Sequence, residues 1–129
     1  MIVHIDLRWI LDLVQHAGLG DPAPEDFGVP VAAVERHKAE LFERPIYDGP
    51  YVRAAALVHT LGRCSWLEHS NLWVAAAVAV QYLHASGIVT APKQEHLQEL
   101  VDSLHRDEVK ATDIAAVLRD WPVIGNGQH

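Results

Sequence analysis

The nine residues Arg63–Asn71 (RCSWLEHSN) bring a guanidinium, a thiol, two hydroxyls, a carboxylate, an imidazole and a carboxamide into one short interval. They lead directly into the apolar run Leu72–Val80 (LWVAAAVAV), which reads as a helix buried on nearly all sides. The first turn of a helix offers unpaired backbone N–H groups and the positive end of the helix dipole, a place that suits an anion. On that reading Arg63, Ser70 and Asn71 are phosphate- or nucleotide-binding residues; on the plainer one, Ser70 or Asn71 simply caps the helix. Cys64 beside Arg63 has a neighbour that favours a nucleophilic thiolate, yet a lone cysteine at the end of an apolar helix reads better as a small buried residue.

Other chemistries are excluded or poorly supported. The nine histidines include no His-x-His or His-x-x-x-His pair, the spacings that set two rings on one element, so no metal site is predicted. His37, His96 and His105 fall at solvent-side or boundary positions of predicted helices. Gly-x-Ser-x-Gly, Walker-type and dinucleotide glycine patterns are missing. With a single cysteine there is no intramolecular disulfide and no thiolate metal site, which fits a reducing cytoplasm.

The whole chain sets further bounds. Its 129 residues are one domain's worth, and 50% apolar composition supplies a core. Seven Arg and three Lys are scattered against 17 acidic residues, a net charge of −7 that argues against direct binding of nucleic acid. The longest apolar run has nine residues, whereas crossing a bilayer takes about 18 or more. The opening Met1–Asp6 (MIVHID) carries an acid where an export signal has its basic region, so a cytoplasmic protein without a membrane partner is expected.

Proline and glycine divide the sequence into segments of mostly helical period. Asp6 caps a helix with the stripe Leu7, Ile10, Leu13 and Val14, stopped by Gly18. Residues 18–30 read as a loop, followed by a helix from Val31 to Phe42 whose face is Val31, Val34, Lys38 and Leu41. A turn over Arg44–Gly49 delivers Pro50 to the first position of a third helix that buries Ala54, Leu57, Val58 and Leu61. Leu72–Ala85 is the expected central helix, ended by Gly87. Pro92 opens a helix with Leu97, Leu100, Val101 and Leu104; Thr112 precedes a last one with Ile114, Val117, Leu118 and Trp121, and the tail Gly125–His129 reads as frayed. Together these predict a single all-α domain, residues 1–129, wrapped about one apolar helix.

Glu43–Tyr47 (ERPIY), Ala54–Leu61 (AAALVHTL) and Tyr82–Gly87 (YLHASG), within Glu40–Gly87, resemble the Fic/Doc family, above all the short Doc-type toxins of bacterial toxin–antitoxin pairs. Asp113–Trp121 (DIAAVLRDW) is similar to the last Doc helix. The resemblance implies a compact Fic/Doc-like helical bundle. It also implies a toxin that inhibits growth, with a short cognate antitoxin as partner and a translation factor as target.

Family members carry a His-x-Phe-x-x-Gly-Asn-x-Arg loop between two helices. Counting back from Tyr82 without gaps puts Ser65 in the histidine seat, Leu67 in the aromatic seat, Ser70 in the glycine seat, Asn71 in the asparagine seat and Trp73 in the arginine seat. A one-residue shift instead seats Cys64 for histidine and Leu72 for arginine. In either register the base that takes a hydroxyl proton and the cation that neutralises nucleotide phosphates are gone. If transfer persists, with ATP and magnesium as cofactors, the catalytic residues are His69 as base, Glu68 as metal ligand and Asn71 holding the loop, with Arg63 as phosphate partner. The alternative is a Doc-shaped toxin or adaptor that acts by binding alone.

Overall fold

A computed structural model describes residues 2–17 and 20–125. The first helix, α1 (Leu7–His16), starts as expected: extended Asp6 accepts the Trp9 N–H at 2.9 Å, and Ile10 and Val14 are buried. It ends with Ala17 as its C-cap, and the expected stop at Gly18 lies outside the described residues. The second helix, α2, covers Gly28–His37 rather than Val31–Phe42. Pro30 does not end the loop but sits in the first helical turn, where its missing N–H would have no partner anyway. The buried face is therefore Pro30, Ala33, Val34 and His37, whereas Val31 and Leu41 are exposed.

Beyond α2 the expected helical residues Leu41 and Phe42 belong to a small hairpin, β1 (Glu40–Leu41) with β2 (Arg44–Pro45). Its turn residues Phe42 and Glu43 both have left-handed backbone, φ 52° and 64°, the geometry that matches the twist of two adjacent strands. Pro50 then opens α3 (Pro50–Arg63) after Gly49 at φ 98°, and Ala54, Leu57, Val58 and Leu61 are all buried. Helix α4 (Asn71–Ala85) closes on Gly87 at φ 90°: the Gly87 N–H reaches the His84 carbonyl at 2.9 Å and the Ile88 N–H reaches that of Leu83 at 2.8 Å.

Strand β3 (Val89–Thr90) pairs antiparallel with β4 (Val123–Gly125), a link that the helical periodicity did not announce. Between them lie α5 (Gln94–Leu104), beginning two residues after Pro92, and α6 (Ala111–Arg119), which already includes Thr112. The Lys110 N–H is bound by the Asp113 carboxylate at 2.9 Å, so the N-terminal partner of α6 lies within its first turn. The expected frayed tail falls, beyond Gly125, outside the described residues.

The architecture is mostly helical, but its centre is shared. Helix α3 packs on α2, α4, α5 and α6, while α1 lies across α4. Small residues allow this: a Cβ added at Gly62 would stand 2.7 Å from Leu104 Cδ1 and 3.3 Å from the Ala75 Cβ, so α3 meets α4 and α5 where no side chain fits. Among the described residues, no helix is long and apolar enough to cross a membrane.

The end of α2 corrects a second expectation. His37, predicted at a solvent-side position, is 1% exposed. Its Nδ1–H donates to the Val34 carbonyl and its Nε2 accepts the Ile5 N–H at 3.1 Å. Next to it the Tyr82 hydroxyl donates to the Val3 carbonyl at 2.6 Å and accepts from Arg53 Nε at 2.9 Å. The segment before α1 is thereby fastened to α2 and α4.

Candidate functional site

The loop between α3 and α4 is built around two fully buried side chains, Trp66 and Leu67. It runs beside residues 23–26: the Glu25 and Asp26 N–H groups donate to the Trp66 carbonyl at 2.6 and 3.2 Å, Pro24 bridges Leu67, and the Glu68 N–H donates to Ala23 O at 3.0 Å. Asn71 holds the loop from the helix side. Its Oδ1 accepts the N–H groups of Trp66 and Leu67 at 3.1 and 3.0 Å, and its Nδ2 donates to the Leu67 carbonyl at 3.1 Å. Neither capping expectation is met, since Asn71 is turned to the loop and Ser70, at the N-cap position, makes no side-chain bond to the helix. Ser70 instead has left-handed backbone, φ 68°.

The remaining predicted site residues divide between two places. Glu68 Oε1 accepts the Ala23 N–H at 2.9 Å and lies 3.8 Å from His69 Nε2, both side chains about half exposed. His69 Nδ1 is hydrogen-bonded to Ser70 Oγ at 2.8 Å. Arg63 points elsewhere: its Nη1 donates to the carbonyls of Leu104 and Arg106 at 2.8 and 2.7 Å, satisfying the C-terminal end of α5. A recess of about 330 Å³ between the end of α3 and the start of α4 is lined by Arg63, Cys64, Ser65 and Asn71, and by Leu72, Leu104 and His105. The structure thus brings Arg63 and Asn71 to one recess and leaves the Glu68–His69 pair off its lining. Cys64, expected to be buried, is exposed.

What this arrangement can do chemically is limited. No carboxylate lines the recess, and its one guanidinium already serves two carbonyls. Among the described residues no three His, Cys, Asp or Glu side chains come together as metal ligands. A magnesium–nucleotide complex therefore finds neither a cation dedicated to its phosphates nor an acid for its metal there, and no transfer step is derived through one.

Sequence reading passed over two other features. Arg36 donates to Tyr47 Oη at 2.7 Å, to His59 Nδ1 at 2.8 Å and to Thr60 Oγ1 at 3.1 Å, while His59 Nε2–H donates to Val109 O at 2.7 Å. Burial lowers the pKa of His59, and the neighbouring guanidiniums act in the same direction. The second feature is a groove of about 550 Å³ between α1 and α4, walled by Trp9, Leu13, Ala77 and Val80, with Asp12, His16 and Gln81 at its polar points. Trp73, Ala77 and Val80 stand at i, i+4 and i+7 on α4, and Trp73 is 42% exposed. The helix that reads as buried all round therefore keeps one apolar face that the described residues cover only in part. Hydropathy alone gives no signal for which face that is.

Compared with family models, with curated proteins and with solved structures, the chain matches none of them.

Proposed function

We propose that the chain is the toxin of a type II toxin–antitoxin pair, built as a Doc-like helical bundle, whose α1–α4 groove receives a helix of a short antitoxin. The observation that carries this reading is the partly exposed apolar face of α4, with Trp73 exposed and Ala77 and Val80 walling the groove beside Trp9 and Leu13. Its spacing suits apolar anchors on one face of a partner helix. With Asp12 in the groove and a net charge of −7, basic residues flanking those anchors would be favoured. The backbone of the loop supports the family register: Ser70, in the glycine seat, adopts the left-handed conformation for which glycine is the natural choice.

The toxin acts by binding a component of translation rather than by transferring phosphate. Of the residues assigned to chemistry, Glu68, Asn71 and Arg63 are each engaged with main-chain groups and hold the loop and the end of α5. The test is growth. Expression of the chain alone arrests growth, co-expression of the neighbouring small open reading frame relieves the arrest, and Ala77→Arg keeps the arrest but abolishes the relief. No arrest, or an arrest that the neighbour cannot relieve, leaves a Fic-fold adaptor as the better reading. Transfer of label from nucleotides to a lysate protein, lost in His69→Ala, would restore the transferase.

A further inference from the structure

We propose that the segment Val3–Asp6 is held to the body of the protein by an acid-labile clasp, released when His37 takes up a second proton. The geometry admits one protonation state. His37 Nδ1 carries the proton that it donates to Val34 O, leaving the Nε2 lone pair as acceptor for the Ile5 N–H at 3.1 Å. Protonation at Nε2 sets a donor against a donor across that contact, in a site 1% exposed where water cannot intervene.

The surroundings on balance oppose the imidazolium. The ring meets the edge of Tyr82 on α4, centroids 5.9 Å apart, and that of His4 in the held segment, 5.5 Å apart. The charged or titratable neighbours are His4 itself, Lys38 at the end of α2 and Arg53 on α3. Among the described residues no carboxylate pairs with His37. Burial, the largest effect, lowers its pKa below the ordinary 6.5; the bond to the Val34 carbonyl raises it in part, and His4, Lys38 and Arg53 each lower it by less. The second tether, from the Tyr82 hydroxyl to the Val3 carbonyl, does not involve the imidazole. Opening therefore begins at Ile5, just before α1, and loosens one wall of the groove whatever the groove binds.

The sign follows from where the proton goes. Above pH 6.5 the ring is neutral in both the held and the released states. As pH falls below that value the released ring gains a proton that the held ring refuses, so release becomes about tenfold easier per pH unit until the lower pKa of the held ring is reached.

Amide hydrogen exchange of the full chain, corrected for intrinsic rates, reads this directly between about pH 7.5 and about pH 5. Protection at Ile5 should fall about tenfold per unit below the ordinary histidine value, while Leu57 and Leu61 in α3 keep theirs. His37→Gln should remove the pH dependence, and His59→Gln, which deletes the other histidine of lowered pKa, should leave it in place. If His37→Gln does not fold, the ring resonances of His37 in the unmodified protein decide. A midpoint below 6.5 that coincides with the loss at Ile5 upholds the clasp. A ring titrating at its ordinary value, a constant Ile5, or loss at Ile5 and α3 in step overturns it.

Discussion

The loop that precedes α4 and the groove along its side make opposite use of their residues. In the loop, Glu68 and Asn71 are bound to main-chain groups of residues 23 and 66–67, and Arg63 at its edge serves the end of α5. In the groove, Trp9, Ala77 and Val80 present carbon surface that the other described residues cover only in part. The interval richest in functional groups has become architecture, because a loop that buries Trp66 and Leu67 must satisfy its own backbone. The apolar helix, which looks like pure core, keeps a partly exposed apolar face.

The sharpest way to test this contrast is to charge two adjacent positions of α4. Ala76 is 4% exposed, so Ala76→Asp leaves an unpaired buried carboxylate at a cost on the order of 4 kcal/mol. Thermal denaturation should show the cooperative transition lowered by about 10 °C or more, or lost. Ala77→Arg, one residue along, extends into the groove and should stay within about 1 kcal/mol of the parent. Equal destabilisation by the two would mean that the groove is part of the core.

The loop is probed next, with a smaller expected effect. Asn71→Ala strands the Trp66 and Leu67 N–H groups and the Leu67 carbonyl, at about 2 kcal/mol in chemical denaturation. A cost below about 0.5 kcal/mol would show that the loop stands without it. The smallest effect has the opposite sign. Ser70→Gly relieves a left-handed backbone at φ 68° and should stabilise by about 0.5–1 kcal/mol. Destabilisation would assign the Ser70 hydroxyl, through its bond to His69, more weight than the backbone.

What could be read in the sequence was set by local chemistry. The Asp6 cap, Pro50 at the head of α3 and Gly87 after α4 each act within a few residues of themselves, and each was legible. Pro30 misled because proline is equally at home at the end of a loop and in a first helical turn. Leu41 and Phe42 continued the helical spacing of α2, but two left-handed residues turn the chain there into a hairpin. The site was less legible than the fold. Residue types in the 63–71 interval were consistent with chemistry, yet the roles of Arg63 and Glu68 depend on Leu104 and Ala23, 41 and 45 residues away. His37 was misread for the same reason: its acceptor role is fixed by Ile5, 32 residues earlier.

The bond from Tyr82 to Val3 spans 79 residues and so carries an implication for the order of folding. Chains emerge from the ribosome N-terminus first, and contacts of large sequence separation close late because their loop entropy must be met before they form. Ile5 can meet His37 once α2 has been made, whereas Val3 must wait for α4 to be synthesised before its carbonyl has Tyr82 to dock on. Docking of Val3 on Tyr82 is the step that joins the N-terminal segment to α4, and until then α4 lacks the cover that this segment and α1 give it.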